Sequence, residues 1–301
     1  MKALNSSGEL KVAADYGDVP DWFGGVFCAR LARDSATQLS LKRENGQYVF
    51  VTGEFVDPGS GGLTITTTDN RIDSAGADAG AALTTSTLYY VYVSNSKATF
   101  APLGIRLSTV APSLYKGAYY LGTSGNAANW RHVGWVRTNG STQFVDDTTD
   151  RLVINRYNQR RLPILLQPGY NDNDSATSYT ISSTTWAAVN GGTGATASYI
   201  SDGINAVSFQ AAGNGDPGAS AVLAFGIGDN STTSAYCEAT SGTAARLHSG
   251  LSMEKVQSEG YFTVSLLAYR ATANGTMLAD SPRNGSAADP RRTYLTGIVM
   301  G

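Results

Sequence analysis

Short runs of β-branched and aromatic residues recur along most of the chain, and turn-forming residues separate them, as around Leu88–Val93 and Ala221–Phe225. Runs of this length between turn formers predict β-strands, and their repetition favours a sandwich or a barrel. The dipeptides Asn45-Gly46 and Asn139-Gly140 each lie between two such runs, so both predict β-hairpins. The chain is therefore predicted to be mainly β.

The first thirty residues follow a different pattern. Pro20 and Asp21 supply a helix start signal, and Arg30 and Arg33 fall on the polar side of the segment that follows. The hydrophobic residues of this segment recur at helical spacing: Trp22, Phe23, Val26, Phe27 and Leu31. We expect one short helix near the N-terminus.

The length of 301 residues exceeds that of a usual single domain, and 42% hydrophobic residues suffice for sizeable cores. Between Ile154 and Pro168 an arginine-rich stretch interrupts the strand pattern, so we place a domain boundary near residue 158. Residues 1–158 are predicted to form a β-rich domain with the short helix. Residues 159–301 are predicted to form an antiparallel β-sandwich of jelly-roll-like type.

The last predicted strand, Tyr294–Met300, reaches almost to the end of the chain. Terminal residues fray unless a sheet holds them, and this segment is too apolar to lie free in water. We expect it to be buried in the sandwich or in a subunit interface, with Ile298 losing most of its surface on folding.

Composition excludes several classes of protein. Charged residues make up only 15% of the chain and the net charge is −2, so the chain lacks the basic footprint of a nucleic-acid-binding protein. The two cysteines, Cys28 and Cys237, are far apart and suggest neither a disulfide framework nor a metal motif. There is no apolar stretch of roughly 20 residues and no signal core, so we expect no membrane insertion.

Catalytic motifs do not stand out. His132 and His248 are the two histidines, and no Gly-x-Ser-x-Gly elbow accompanies them, so neither a Ser-His-Asp triad nor a zinc site is expected. The stretch Gly213–Gly218 matches a dinucleotide-binding fingerprint by letter. Pro217 and the poor helix formers after it favour a turn instead. We expect no cofactor and no catalytic residue.

Two loops are rich in carboxylates, one at Asp146, Asp147 and Asp150 and the other at Asp172–Asp174. Oxygen-rich loops can bind Ca²⁺, but the spacing of these residues is not that of an EF-hand. We interpret both loops as solvated turns, with a bound calcium ion as the alternative.

The aromatic residues are more informative, with 16 tyrosines and 4 tryptophans. Trp130 and Trp135 lie in an apolar run and are assigned to the core. Tyrosine and tryptophan are also enriched in binding surfaces, because their rings combine an apolar body with a polar tip. Trp186, Tyr199 and Tyr236 are our candidates for receptor binding.

Several of these runs together resemble a module of tailed-bacteriophage virion proteins, especially tail fibres and related head or collar fibres. The residues that carry the resemblance are Thr87–Val93, Leu107–Pro112, Trp130–Thr138 and the following turn to Phe144. The C-terminal half resembles the β-sandwich tips of such fibres. The resemblance implies a homotrimer whose N-terminal domain docks on other virion proteins and whose C-terminal domain faces the host.

We therefore expect a non-enzymatic bacteriophage virion structural protein of the tail-fibre or spike type, made in the host cytoplasm and located in the virion. It would attach the virus to a host cell-surface glycan or protein. One alternative is a capsid or collar decoration protein of head-fibre type that stabilises the particle. The other is a polysaccharide-cleaving tailspike.

Overall fold

A computed structural model of the protein describes residues 3–4, 10–11, 29–43, 49–51, 54–100, 103–168, 178–189, 195–216, 222–240, 247–271, 275–278 and 293–301. These residues are mostly in β-strands, with a short 3₁₀ helix at Gly125–Asn129. The predicted mainly β fold is therefore confirmed.

The strands before the 3₁₀ helix are β1 (Ala3–Leu4), β2 (Leu10–Lys11), β3 (Ala29–Ser35), β4 (Gln38–Arg43), β5 (Val49–Val51), β6 (Glu54–Val56), β7 (Leu63–Thr66), β8 (Leu88–Ser94), β9 (Ile105–Ser108), β10 (Ser113–Tyr115) and β11 (Ala118–Tyr120). The strands after it are β12 (Trp130–Arg137), β13 (Asp150–Arg151), β14 (Val153–Asn155), β15 (Arg161–Leu166), β16 (Ser178–Ile181), β17 (Ala187–Ala188), β18 (Thr196–Asp202), β19 (Ala206–Asp216), β20 (Leu223–Asp229), β21 (Cys237–Thr240), β22 (Leu247–Val256), β23 (Glu259–Arg270), β24 (Gly275–Leu278) and β25 (Tyr294–Met300).

The chain divides into two compact units. The first unit contains Met1–Val145 and Val153–Gln159, and the second contains Asp146–Leu152 and Arg160–Gly301. We placed the boundary near residue 158, and the division after Gln159 lies close to it. The sequence did not indicate that residues 146–152 belong to the second unit, so the chain passes between the units three times.

The first unit is built from a three-stranded sheet (β3-β4-β7), the pair β5–β6, and a larger sheet. The larger sheet has the order β10-β11-β12-β8-β9, with β14 also paired to β12. Apolar side chains from the sheets share one core, which includes Leu31, Leu41, Val51, Val91 and Val133. The Asn155 carboxamide links β14 to β3, because its oxygen accepts a hydrogen bond from the Leu31 N–H (2.7 Å) and its nitrogen donates to the Leu31 carbonyl (3.1 Å).

The predicted N-terminal helix is wrong over the part that the structure describes. Leu31 and Arg33 lie in β3, where Leu31 pairs with Leu41 of β4 and is buried. Residues four apart share a face in a strand as well as in a helix, so the spacing of Phe27 and Leu31 fits both. Residues 21–28, where the helix was predicted to begin, lie outside the described part of the chain.

Strand β12 is buried on both faces. Val133 and Val136 face the shared core, whereas Trp130, His132 and Trp135 lie on the second face of the sheet. Trp130 and Trp135 are fully buried, which confirms their assignment to the core. Apolar residues of the same unit surround Trp130 on that second face: Ile72, Tyr92, Ala98, Leu121 and Ala127.

The second unit is a β-sandwich of two six-stranded sheets. The β23 sheet has the order β13-β18-β23-β20-β21, with β17 also paired to β23. The β25 sheet has the order β15-β25-β19-β24-β16, with β22 also paired to β19. One hydrophobic core contains residues of both sheets, including Tyr199, Phe225, Phe209, Leu295 and Val299. The pair β13–β18 is parallel, which departs from the fully antiparallel sandwich that we expected.

Strand β25 alternates strictly between the core and the outside. Leu295 and Val299 are fully buried, whereas Ile298 keeps 40% of its surface exposed. Ile298 therefore loses more than half of its surface, as expected, but the single chain leaves the rest of it exposed. The side-chain period of a strand is two, so Ile298 and Val299 must face opposite sides of the sheet.

The glycines of the fingerprint-like stretch also differ from expectation. Gly213 and Gly215 lie within β19 and not in a turn, and residues 217–220 lie outside the described part. A Cβ atom on Gly213 would approach the Phe225 ring to 2.4 Å, and one on Gly215 would approach Leu223 Cδ2 to 2.2 Å. The two glycines therefore make room for core side chains of the facing sheet.

Candidate binding site at the loop end of the second unit

Three connections meet at one end of the sandwich. Residues 203–205 join β18 to β19, residues 230–236 join β20 to β21, and residues 257–258 join β22 to β23. Asp202 pairs with Glu259 and Ala206 pairs with Val256, so the first and third connections are neighbours. Loops clustered at the end of a sandwich are the part of this architecture that varies freely and most often binds ligands.

Each connection, or the strand end next to it, carries an exposed apolar side chain. Ile204 is 68% exposed, Tyr236 is 55% exposed and Val256 is 57% exposed. They are the three most exposed large hydrophobic residues in the described part of the second unit. Exposed apolar groups that gather at one place mark a binding surface more often than single ones do. We call Ile204, Tyr236 and Val256 the tip patch.

A polar network ties the tip patch to both sheets. Lys255 Nζ lies 2.6 Å from one oxygen of Asp229 and 5.7 Å from the centre of the Tyr236 ring. The Gln257 side-chain nitrogen donates to the other Asp229 oxygen and to the Tyr199 hydroxyl, the latter at 3.3 Å. Asp229 belongs to the β23 sheet and Lys255 to the β25 sheet, so the network connects the sheets at their open end.

The network keeps Lys255 in its charged form and Tyr199 in its neutral form. The hydrogen bond to Asp229 raises the pKa of Lys255 above its ordinary value. Burial raises the pKa of Tyr199, so its phenol stays protonated in the physiological range. Both oxygens of Asp229 accept hydrogen bonds, so this carboxylate holds Lys255 and Gln257 in place.

The 203–205 loop is pre-formed by its own hydrogen bonds. One oxygen of Asp202 accepts from the backbone N–H groups of Ile204 and Asn205, both at 2.9 Å. The Asn205 side chain donates to the other oxygen at 2.6 Å. Ile204 is therefore presented to solvent by a fixed turn.

The 230–236 loop is fixed in a similar way. The Ser231 hydroxyl accepts from the N–H groups of Thr233 (3.2 Å) and Ser234 (3.0 Å), and the Asn230 N–H donates to the Thr263 carbonyl (2.8 Å). Thr232, Thr233 and Ser234 remain exposed. The loop that leads to Tyr236 thus carries exposed hydroxyl groups that can exchange hydrogen bonds with a ligand.

The three receptor-binding candidates have different places in the structure. Tyr236 lies in the tip patch. Tyr199 is fully buried beneath it, so its candidacy as a surface residue is wrong. In β18 the side chains alternate, and Tyr199 falls on the core side with Ala197, packed against Phe209 and Phe262.

Trp186 supports the site more than it presents a surface. Its ring lies edge-to-face on Tyr269 with the centroids 4.6 Å apart, and it is only partly exposed. A Cβ atom on Gly226 would approach both the Trp186 ring (3.1 Å) and Ala235 Cβ (2.7 Å). Trp186 therefore packs under the root of the loop that ends in Tyr236.

Sequence reasoning missed Ile204, Lys255 and Val256. The turn Asp202-Gly203-Ile204-Asn205 contained a usable signal, because an apolar residue inside a turn-forming stretch has no local reason to be buried. Lys255 and Val256 gave no such signal, since they end an ordinary strand and become part of the site only through contacts with β19 and the 230–236 loop.

The Asp146–Asp150 loop acts as a turn. One Asp147 oxygen accepts hydrogen bonds from the N–H groups of Thr149 (2.8 Å) and Asp150 (2.9 Å) and from the Thr149 hydroxyl (2.8 Å). Burial alone would raise the pKa of Asp147, but these hydrogen bonds lower it overall. Residues 172–174 lie outside the described part of the chain.

Two structural features, a metal-binding cluster and a membrane-spanning helix, are absent from the described residues. No group of three or more His, Cys, Asp or Glu side chains there is placed to hold a metal ion. Within the same ranges, no helix has the length and apolarity needed to cross a membrane. Comparison with known protein families and with curated proteins finds no match to this chain.

Proposed function

We propose that the protein is a non-enzymatic attachment protein of a tailed-bacteriophage virion, which binds a host cell-surface glycan through the loop end of its second unit. The observation that carries the proposal is the tip patch, in which Tyr236 follows a fixed loop with exposed hydroxyl groups and lies next to the Lys255–Asp229 pair. The virion context comes from the resemblance of Thr87–Phe144 to phage fibre proteins.

The chemistry of the tip patch fits a sugar ligand. An aromatic ring offers a rigid apolar face for the C–H groups of a sugar, with little loss of side-chain entropy. Serine, threonine and asparagine supply the adaptable hydrogen bonds that sugar hydroxyls need. The charges of Lys255 and Asp229 compensate each other, so a neutral glycan can approach without leaving a charge unpaired.

One such site binds weakly, so the proposal includes a homotrimer that presents three copies to the cell. Linked sites raise the effective concentration of the second and third contacts, and the overall affinity can increase by a factor of about 10² to 10⁴. The first unit would dock on other virion proteins.

The test is binding of the full chain to a panel of purified bacterial surface polysaccharides, measured by calorimetry or on a glycan array. Tyr236→Ala removes the stacking ring and should abolish detectable binding, whereas Tyr236→Phe keeps the ring and should retain most of it. Leu114→Ala removes a comparably exposed apolar side chain (64% exposed) from the first unit and should bind like the original protein.

Three results would contradict the proposal. Equal binding by Tyr236→Ala would remove the tip patch from the function. Release of new reducing ends from a polysaccharide would favour the tailspike alternative. Antibody labelling of the capsid surface in purified virions, together with no glycan binding, would favour the decoration protein.

A further inference from the structure

Within the described part of the chain, the outer face of the β25 sheet is uncovered and carries few charges. Its four neighbouring strands are β15, β25, β19 and β22, and the alternation of exposure shows which residues point outwards. The outward residues are Arg161, Pro163 and Leu165 on β15, Tyr294, Thr296, Ile298 and Met300 on β25, Ala206, Ser208, Gln210 and Ala212 on β19, and Gly250, Ser252, Glu254 and Val256 on β22.

This composition is unusual for a sheet face in contact with water. Antiparallel sheets with one solvated face normally carry polar and charged residues on that face. Where the two central strands pair, over Ser208–Ala212 of β19 and Tyr294–Ile298 of β25, they contribute only uncharged outward residues. Leu165 and Ile298, which are 38% and 40% exposed, lie diagonally across the pair β15–β25, because Leu165 pairs with Thr296 and Ile298 with Pro163. Depletion of charge together with Tyr, Met and aliphatic side chains is typical of the buried centre of an interface.

The opposite side of the sandwich is different, because the chain itself covers it. Ser265 and Leu267 point outwards from β23, away from Val264 and Leu266, yet both are fully buried. Trp186 packs on Tyr269 there, and a Cβ atom on Gly226 would approach both Trp186 and Ala235. The described part of the chain supplies no comparable cover for Ile298.

The two charged residues of the open face lie at its opposite edges. Arg161 pairs with Met300 on β15, and Glu254 pairs with Ser208, which in turn pairs with Ile298. The two charges are therefore one pleat apart along the strands, about 7 Å at about 3.4 Å per residue. Neither side chain forms an ion pair within the described part of the chain.

We propose that copies of this chain associate through the outer face of the β25 sheet, about a rotation axis parallel to its strands. Rotation about such an axis leaves the position of every residue along the strands unchanged. It also places the β15 edge of one copy next to the β22 edge of another. Each Arg161 then faces the Glu254 of a neighbour at a distance that two long side chains can span. The uncharged centre of the face meets the same uncharged centre, so no isolated charge is buried.

The inference rests on the homotrimer of the proposed function and gives it a contact surface. A partner of strong charge has little to recognise here, because Arg161 and Glu254 cancel. A second copy is matched in charge and in length of strand.

The test compares two Ile→Asp variants of the full chain by light scattering at micromolar concentration. Ile298→Asp places a carboxylate in the centre of the open face and should reduce the mass from that of the oligomer to that of one chain. Ile204→Asp makes the same chemical change in the tip patch and should leave the mass unchanged. Circular dichroism shows whether each variant keeps its strands.

Charge exchange at the edges provides a second measurement that does not depend on the folding of Ile298→Asp. Arg161→Glu or Glu254→Arg alone should weaken association by about two- to fivefold, as expected for an exposed pair. The double variant restores opposite charges and should recover the original association constant.

The outcomes separate this inference from the proposed function. An original protein that is monomeric overturns both the homotrimer and the contact surface. An oligomeric Ile298→Asp variant, with no recovery in the charge-exchanged double variant, overturns the surface and leaves the homotrimer standing. A monomeric Ile298→Asp that still binds glycan through Tyr236, with lower avidity, supports both.

Discussion

Strands β12 and β25 both contribute apolar side chains to a core but have different surroundings. Strand β12 is buried on both faces, although it contains two arginines and a histidine, whereas the apolar β25 is buried on only one face. On the second face of β12, Trp130 packs against a loop in which Gly76 leaves room for the indole ring, and His132 packs against Tyr90, Tyr92 and Trp135. On the second face of β25, Ile298 remains exposed.

The difference shows what decides whether an apolar strand is covered by its own chain. The first unit has long connections whose apolar residues, such as Ile72, Ala98 and Ala127, return over the sheet. The β25 sheet receives no such cover from the described residues. An apolar sheet face that its own chain covers becomes part of a core. An apolar sheet face that its own chain leaves uncovered is a candidate subunit interface.

The largest expected effect concerns the inner face of β25. Val299→Asp places a carboxylate in the core of the second unit, which costs several kcal/mol or forces the group to stay protonated. A domain is stable by only about 5–15 kcal/mol, so the second unit should unfold or lose its cooperative transition in urea. The matched Ile298→Asp should keep that transition, because its carboxylate stays in water. Similar unfolding of both variants would mean that the two faces of β25 do not differ.

A smaller effect is expected for close packing in β12. A Cβ atom on Gly134 would lie 2.3 Å from the Ile154 carbonyl oxygen, which is backbone and cannot easily move. Gly134→Ala should therefore destabilise the first unit by about 1–3 kcal/mol, measured by urea unfolding. Gly140→Ala is the control, since no atom lies within 4 Å of its added methyl group. Equal midpoints for the two variants would show that β12 is less tightly enclosed than described.

The smallest expected effect is a dependence on pH at His132. Burial, followed by the charge of Arg156, lowers the pKa of His132 well below the ordinary value of 6.5. The imidazole Nε2 donates to the Gly134 carbonyl at 2.8 Å, and the ring is held neutral. Below pH 6.5 the unfolded chain binds a proton that the folded chain does not, so the first unit loses stability as the pH falls, by at most about 1.4 kcal/mol per pH unit.

Hydrogen exchange of peptides from β12 at pH 7 and pH 5.5, corrected for intrinsic exchange rates, measures this loss. His132→Phe should remove the pH dependence, whereas His248→Gln should keep it. A pH dependence that survives in His132→Phe would assign the effect to other groups.

Local features of the fold were predictable from the sequence. At Asn139-Gly140 the chain reverses as predicted, with Thr138 bridged to Phe144. The Asn139 carboxamide oxygen accepts from the N–H groups of Ser141 and Gln143, both at 2.9 Å. Everything that determines this turn lies within a few residues, so the local sequence is sufficient.

Pairing between distant strands was not predictable. The dipeptide Asn45-Gly46 carries the same hairpin signal, yet β4 pairs with β3 and β7 while β5 pairs with β6. Residues 44–48 themselves lie outside the described part. The partner of β4 is decided by burial of Leu39 and Leu41 in a core assembled from many strands, which a short window of sequence does not contain.

The candidate site was predictable only in part, for the same reason. Tyr236 was identified by its residue type. Tyr199 is also a tyrosine, but it lies at a position of β18 whose side chain points into the core. Lys255 joins the site through Asp229, which is 26 positions away in sequence, and that proximity exists only in the folded sandwich.

The passage of the chain through residues 146–152 limits how this protein can be recombined. That segment belongs to the second unit, where the Thr148 carbonyl accepts from the Leu165 N–H and the Thr149 carbonyl accepts from the Ser198 N–H, both at 2.9 Å. Residues 153–159 return to the first unit and supply β14. After a single genetic crossover between codons 146 and 160, at least one of the two units therefore contains segments from both parent proteins. An exchange of the second unit by recombination would therefore have to carry this whole stretch with it.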